Sequence, residues 1–279
     1  LTAKAPSMQY GSMPIDNGHL IIEQADKKTF LQENIGARKF IRRYIGGEEL
    51  LYGNPRWCLW LKDAQPTDIK KYSGIAERVR LNKNFRQGSK RANTVQLAAT
   101  PSLFGEIRQP ETTYLLLPKV SSSTRSYMPM GFMSPRMIAS GSSLLVPNAS
   151  LFDFGILQSH MHMAWMRYVC GRMKSDYQYS AQIVYNNFPW PQQLSAAQRE
   201  IIETKAQAVL DARAAFSGST LAQLYDPLTM PPALVKAHQA LDAAVDAAYR
   251  ADGGDKTYSS DAQRVAFLFR RYAALTSLV

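Results

Sequence analysis

The sequence changes character at Asn187-Phe188-Pro189-Trp190-Pro191, a segment with two prolines. A helix cannot run through this segment, because proline lacks the backbone N–H and its ring clashes with the preceding turn. Residues 1–190 carry 24 Lys and Arg against 13 Asp and Glu, whereas residues 191–279 carry nine of each. The entire net charge of +11 therefore lies before the prolines. This shift predicts two domains, 1–190 and 191–279.

The segment after the prolines predicts three amphipathic helices. Ser195 with Gln198, and Ser260 with Gln263, have the capping-box pattern that begins a helix. The middle helix follows a proline-rich turn at 227–232, and apolar residues recur at helical spacing in all three. Because the connections are short, we expect a small helical bundle.

The first 190 residues predict a mixture of short strands and helices without regular βαβ alternation. Strand-like runs occur at 57–61, 114–120, 127–133 and 143–146. Helical runs occur at 30–44, with an interruption expected at Gly36, at 67–87, with a break expected at Ser73-Gly74, and at 154–170. The predicted fold class is α+β, with an irregular mixed α/β domain followed by the C-terminal helical bundle.

Composition narrows the class of protein further. With 46% hydrophobic residues the chain is typical of a globular protein, and no apolar run approaches the roughly 20 residues that span a bilayer. Cys58 and Cys170 are too few for a disulfide framework, so we expect a cytoplasmic protein. Because Leu1 stands where an initiator Met would be, we expect a piece of a longer chain.

The most basic stretch begins at Arg78, and no acidic residue follows it before Glu106. If 67–87 is helical, Arg78, Asn82 and Arg86 lie on one exposed strip, while Ile75, Val79 and Phe85 face the core. Long cations on such a surface contact DNA phosphates, and a solvated basic face is the plainer alternative. The candidate phosphate-binding residues are Arg78, Arg80, Lys83, Arg86, Lys90, Arg91 and Lys174.

Two polar loops are candidates for reading bases. The loop 88–93 follows the predicted basic helix and offers Ser89 and Asn93, and a second loop, 121–125, joins two predicted strands. Short polar side chains and arginine form hydrogen bonds with base edges in the major groove. Arg125 in the second loop is one candidate, with a further phosphate contact or a surface hairpin position as the alternatives.

The sequence contains no recognisable catalytic or metal-binding motif. It lacks a Gly-rich turn for a methyl donor, and Asn186-Asn187-Phe188-Pro189 has the wrong order for the Asn/Asp-Pro-Pro-Tyr/Phe loop of amino-methylating enzymes. His160 and His162 point to different faces if they lie on a helix, so they do not predict a metal site. We therefore predict no catalytic residue, no metal and no cofactor in this chain.

Several longer stretches resemble the MmeI-like enzymes, the single-chain restriction–modification methyltransferases of type IIL. The resemblance to their recognition domain is carried by Pro147-Asn148-Ala149-Ser150-Leu151, Cys170-Gly171-Arg172-Met173-Lys174-Ser175-Asp176-Tyr177 and Gly105-Glu106-Ile107-Arg108-Gln109-Pro110. The tail is similar to the family's C-terminal helical region through Leu224-Tyr225-Asp226-Pro227-Leu228-Thr229-Met230-Pro231-Pro232.

The resemblance implies a bacterial parent that transfers a methyl group from S-adenosylmethionine to adenine N6 in double-stranded DNA, with a nuclease domain fused in many members. This chain would supply the DNA-recognition module, and its partners would be DNA and the parent's own methyltransferase domain. Family members use a polar pair two residues apart to select one base pair, which corresponds here to Ser123 and Arg125. The alternatives are an RNA-binding module of a modification enzyme and a protein-interaction scaffold.

Overall fold

The computed structural model describes residues 5–277. The helices are α1 (Gln24–Glu33), α2 (Gly47–Tyr52), α3 (Pro66–Lys71), α4 (Ser73–Gln87), α5 (Ala92–Gln96), α6 (Leu151–Leu157), α7 (His160–Val169), α8 (Ala196–Ala214), α9 (Leu221–Leu224), α10 (Pro232–Ala248) and α11 (Asp261–Thr276). The strands are β1 (Gln9–Tyr10), β2 (Ile21–Ile22), β3 (Ile41–Ile45), β4 (Arg56–Leu59), β5 (Tyr114–Pro118), β6 (Val120–Ser121), β7 (Gly131–Met133), β8 (Ile138–Ala139), β9 (Ser143–Pro147), β10 (Gly171–Met173) and β11 (Asp176–Gln178). Short strands mixed with helices, ahead of a helical C-terminal region, confirm the predicted α+β class.

The chain forms two compact units. The basic unit consists of residues 10–112 and 133–143, and the helical unit consists of the described residues up to 9, 113–132 and those from 144 onward. The helices after the proline segment belong to the same unit as 144–190, and a domain boundary at 190 stays a prediction. No helix within residues 5–277 is both long and apolar enough to cross a membrane.

The basic unit is built on a four-stranded sheet with the order β2-β4-β3-β8. Strand β3 runs antiparallel to β4 and parallel to β8. The core of the unit combines buried residues of the sheet, such as Ile41 and Leu59, with Phe30 of α1 and Ile75 of α4. Helices α1 and α4 therefore pack against the sheet through large apolar side chains.

The interruption expected at Gly36 is confirmed, whereas the helix predicted after it, up to residue 44, is wrong. Helix α1 ends at Glu33, and Gly36 adopts a left-handed backbone with φ of 91°. Such a conformation costs a residue with a Cβ about 1 kcal/mol, so glycine is the natural residue at this break. The chain then makes a 3-10 turn at Ala37–Phe40 and continues as β3, where β-branched Ile41 and Ile45 are buried.

The helical unit contains a sheet with the order β1-β9-β5-β7 and a second, three-stranded sheet with the order β10-β11-β6. Its core is one continuous apolar cluster that joins the strands to α6, α7, α8, α10 and α11. Helices α6 and α8 pack so closely that a Cβ on Gly155 would lie 2.8 Å from the Ile202 Cγ2 atom. The predicted C-terminal helices thus pack into the same core as the strands and helices of residues 144–190.

The helix predicted over 154–170 is interrupted in the middle. Helix α6 ends at Leu157, and Ser159 caps α7 by accepting a hydrogen bond from the His162 N–H. Between them lies Gln158, which is fully buried and whose side chain donates to the Met128 carbonyl. The predicted capping box of Ser195 and Gln198 is confirmed at the start of α8.

Candidate nucleic-acid interface

Helix α4 turns its Arg78–Asn82–Arg86 strip toward the protein interior. Arg86 has no exposed surface, and its guanidinium donates five hydrogen bonds of 2.8–3.0 Å. The acceptors are the backbone carbonyls of Pro14, Ile15, Leu97, Thr100 and Leu103. A guanidinium has five N–H donors, so all of them are used inside the protein.

The prediction that this strip is exposed, with Arg86 on phosphate, is therefore wrong. The physical reason is that the irregular segment after α5 leaves buried carbonyls, and a charged five-donor group satisfies them better than any apolar side chain. Asn82 is likewise buried and donates to the Pro101 carbonyl at 2.7 Å. Phe85, which was expected in the core, is instead 37% exposed.

Arg78 also has a structural role in the basic unit. One of its nitrogens donates to the carbonyls of His19 and Ile21 at 2.9 and 2.8 Å, next to the start of β2. Its guanidinium lies 5.5 Å from the ring centre of Phe30, and burial lowers the pKa of Arg78. Arg78 thus joins α4 to the sheet, and its guanidinium is turned away from open solvent.

The remaining cations of the predicted set are exposed. Arg80 forms a two-hydrogen-bond ion pair with Glu77, with distances of 2.8 and 2.7 Å. Lys83, Lys90 and Arg91 are exposed and form no ion pair within residues 5–277. These three therefore carry the uncompensated positive charge of this part of the surface.

The loop between α4 and α5 holds the first pair of base-reading candidates. The Ser89 hydroxyl accepts the Arg91 N–H at 3.2 Å, which tightens the turn into α5. Asn93 follows in the first turn of α5 and is exposed. Lys90, Arg91 and Asn93 thus present two long cations and a short amide from one short segment.

The second polar loop follows β6 in the helical unit. It turns at residues 122–125, where the Arg125 N–H donates to the Ser122 carbonyl at 3.3 Å and the Ser122 and Thr124 hydroxyls lie 3.0 Å apart. Arg125 is half-buried, and its Nη1 atom donates to the Ser121 hydroxyl at 3.4 Å. Ser123 occupies the turn itself.

The three-stranded sheet brings Lys174 to the same end as this loop. Tyr177 of β11 pairs with Ser121 of β6 in antiparallel register, so the turn between β10 and β11 lies beside residues 122–125. Lys174 occupies that turn with φ of 55° and is exposed. The structure therefore groups Lys174 with Ser123 and Arg125, although about fifty residues separate them in the sequence.

Two neighbours of Lys174 were not among the predicted residues. Arg172 lies over the Tyr177 ring at 4.1 Å and donates to the Ser175 carbonyl at 3.2 Å. Met173 is 48% exposed at the end of β10. Charged and apolar side chains alternate in Arg172-Met173-Lys174, which lie between Gly171 and Ser175. This pattern is typical of a hairpin and could have indicated Arg172 and Met173 from the sequence.

Side chains of α7 and α10 form hydrogen bonds with residues 125–127, at the C-terminal end of the 121–125 loop. Arg167 of α7 donates to the carbonyls of Arg125 and Ser126 at 3.5 and 3.0 Å, and it forms an ion pair with Asp261 of α11 at 2.5 Å. The Tyr127 hydroxyl donates to the Asp242 carboxylate of α10 at 2.7 Å, and burial raises the pKa of Tyr127. The C-terminal helices therefore fix the loop.

Comparisons with known proteins agree with this description. Residues 1–192 match the family model described as "MmeI, target recognition domain", and residues 194–279 match "MmeI, C-terminal domain". DNA methyltransferase A of Bacillus subtilis (strain 168) is 36% identical over 271 residues, which are 97% of this chain and 30% of that protein.

A solved structure gives the same result for the fold. The type IIL restriction–modification enzyme MmeI in complex with DNA is similar to this chain with a TM-score of 0.94 and 41% identity, over 99% of this chain and 36% of that chain. This chain spans about a third of the length of the relatives it matches. The resemblance seen in the sequence is thus confirmed for both the recognition and the C-terminal regions.

Proposed function

We propose, from the premise that this chain belongs to the MmeI family of restriction–modification DNA methyltransferases, that it binds double-stranded DNA and selects the parent enzyme's target sequence. The observation that carries the proposal is the similarity in sequence and fold, over nearly the whole chain, to an enzyme solved in complex with DNA. The exposed cations and the two polar loops supply the chemistry that such a task requires.

The side chains divide into two classes by their chemistry. The first class consists of exposed long cations, which are Lys83, Lys90, Arg91 and Lys174. Arg80 is a fifth, and its charge is partly neutralised by the ion pair with Glu77. Cations of this kind contact phosphates and set the position of the protein on the duplex. We assign base reading to Ser89 and Asn93 in the first loop and to Ser123 and Arg125 in the second, because short polar groups and arginine match base edges.

The reaction of the parent is a further part of the proposal. We infer that it transfers a methyl group from S-adenosylmethionine to adenine N6, with the donor bound outside the residues of this chain. A base inside the duplex cannot be reached by such chemistry, so the methyltransferase domain would take the target base out of the stack. This chain would decide which base is presented, and the reaction would occur in the bacterial cytoplasm.

A mobility-shift comparison tests the proposal directly. The chain should bind duplex DNA more tightly than single-stranded DNA or RNA of equal length. With about five phosphate contacts, the logarithm of the binding constant should fall with the logarithm of salt concentration at a slope on the order of −4. Preference for RNA would identify an RNA-binding module instead, and no binding to any of the three would favour an interaction scaffold.

A further inference from the structure

A second group of cations lies on the sheet of the basic unit, around the side chain of Trp57. Lys27 of α1 places its Nζ atom 3.1 Å from the centre of the Trp57 ring, and Arg43 of β3 places its guanidinium 5.1 Å from it. Arg43 and Trp57 are paired residues on neighbouring strands. We call Lys27, Arg38 and Arg43 the Trp57 cluster, since Arg38 lies in the 3-10 turn that leads directly into β3, the strand of Arg43.

The indole ring holds its two cations in place. The Trp57 Nε1 atom donates to the Gln24 side chain at 2.9 Å, which fixes the orientation of the ring. A cation over an aromatic face gains about 0.5–1 kcal/mol at an exposed site. Lys27 and Arg43 are therefore restrained before any ligand arrives, which lowers the entropy cost of binding an anion.

The charge of the Trp57 cluster is not balanced by the protein. None of its three cations forms an ion pair within residues 5–277, whereas nearby Lys39 and Arg56 pair with Asp68 and Glu49 at 2.9 and 3.0 Å. Burial, followed by the charges of Arg38 and Arg43, lowers the pKa of Lys27. The three cations therefore repel one another in the folded protein.

The acidic residues of α1 lie elsewhere. Asp26 and Glu33 line a cleft together with Arg78, which is a different set of neighbours from the residues of the Trp57 cluster. Helix α1 thus separates its charges, with carboxylates toward Arg78 and Lys27 toward Trp57. Like charges that face one another cost stability, so an arrangement without a carboxylate fits an anion supplied from outside.

We propose that Lys27, Arg38 and Arg43 form a phosphate-binding site for the backbone of double-stranded DNA, separate from the loop that carries Lys90 and Arg91. This inference rests on the proposed function. Long cations on a helix and a strand, with no short polar side chain among them, suit phosphate oxygens and not base edges. The site would therefore add affinity on any sequence and would not contribute to the choice of target.

The experiment replaces each arginine by glutamine in the 279-residue chain and measures duplex DNA binding over a range of salt concentrations. Arg38→Gln and Arg43→Gln should each weaken binding on the order of five- to tenfold at about 0.1 M salt and reduce the salt slope by about 0.9. Both effects should be the same on unrelated DNA sequences. Lys28→Gln is the matched control, because Lys28 is exposed on α1 and makes no contact with Trp57.

The unfolding midpoint of each variant separates binding from folding. Arg38→Gln removes repulsion and no hydrogen bond or ion pair, so its midpoint in denaturant should be unchanged or higher. Equal losses of affinity in Arg38→Gln and Lys28→Gln would show that only net charge matters and would overturn the inference. Variants that weaken RNA binding but leave duplex binding intact would also overturn it. Failure of the unaltered chain to bind duplex DNA would instead refute the proposed function, and the inference with it.

Discussion

The basic side chains with no exposed surface differ in chemical form between the two units. In the basic unit the five donors of Arg86 satisfy five backbone carbonyls, and a guanidinium stays protonated at any pH at which proteins fold. In the helical unit the buried groups include His162, which contacts the Tyr179 hydroxyl at 3.0 Å, and His238, which contacts the Tyr225 hydroxyl at 2.9 Å. Burial lowers the pKa of both histidines.

This difference predicts how the stability of each unit should depend on pH and on the loss of a buried basic residue. The five hydrogen bonds of Arg86 should be sensitive to the loss of that residue and insensitive to pH, because its guanidinium does not titrate. The interior of the helical unit depends on neutral histidines, so protonation should destabilise it. The comparison also shows that a basic sequence does not translate directly into a basic surface, because Arg86 is as buried as the apolar core.

The largest effect is expected from Arg86→Ala. The substitution leaves five buried carbonyls without a donor and opens a cavity, so the free energy of unfolding should fall by about 3–5 kcal/mol. Denaturant titration followed by circular dichroism measures this loss. Lys83→Ala on the same helix is the control and should change stability by no more than about 0.5 kcal/mol. Similar stabilities for the two variants would refute the structural role of Arg86.

A smaller effect for each pH unit is expected from acidification, and its sign follows from His162. Burial lowers the pKa of His162 from 6.5 to about 3, so between these values the unfolded state binds a proton that the folded state does not. The contribution of His162 to stability should therefore be complete above about pH 6.5 and fall as the pH decreases, with a slope approaching 1.4 kcal/mol per pH unit for this one group. Denaturant titrations at several pH values measure this slope.

The control for acidification is the variant His162→Gln, which cannot titrate. It should be less stable at neutral pH but lose less stability between about pH 6.5 and 3. The comparison of the two curves is necessary because burial raises the pKa of Asp242, which contributes in the opposite direction. Parallel curves for the two proteins would show that His162 is not the source of the acid sensitivity.

The smallest effect on stability, and the most specific effect on function, is expected from Arg125→Ala. If Arg125 pairs with a guanine edge, its loss should cost on the order of 1–3 kcal/mol of discrimination at one base pair. Mapping methylated sites with the full-length parent should show a motif relaxed at one position. Lys83→Ala should instead lower methylation at all sites with an unchanged motif. An unchanged motif with uniformly lower methylation in both variants would refute base reading by Arg125 and make it another phosphate contact.

The sequence predicted well those elements whose signals are local. The capping box at Ser195 and the apolar run at 57–61 depend on residues within one helical turn or one strand, and both are found where expected. The break at Gly36 was expected, but the strand after it was not, because the apolar residues that follow the glycine suit a helix and a strand equally well.

The candidate site was only partly predictable for a different reason. The inward face of α4 depends on carbonyls in the irregular segment around Leu97–Leu103, and a hydrophobicity pattern cannot show where such carbonyls lie. The grouping of Lys174 with Ser123 and Arg125 depends on the pairing of β6 with β11, which are distant in the chain. The Trp57 cluster combines three separate elements, so charge counts along the sequence could not reveal it.

The contacts that hold the 121–125 loop bear on how its specificity can change during evolution. Arg167 donates hydrogen bonds to the main-chain carbonyl oxygens of Arg125 and Ser126. These oxygens are present whichever side chain occupies either position. Substitutions at positions 123 and 125 therefore leave the hydrogen bonds of Arg167 intact, provided that the new residue tolerates the same backbone conformation. If residues 123 and 125 read bases as proposed, one or two substitutions there would change the target, while the helices and core stay under unchanged selection for stability.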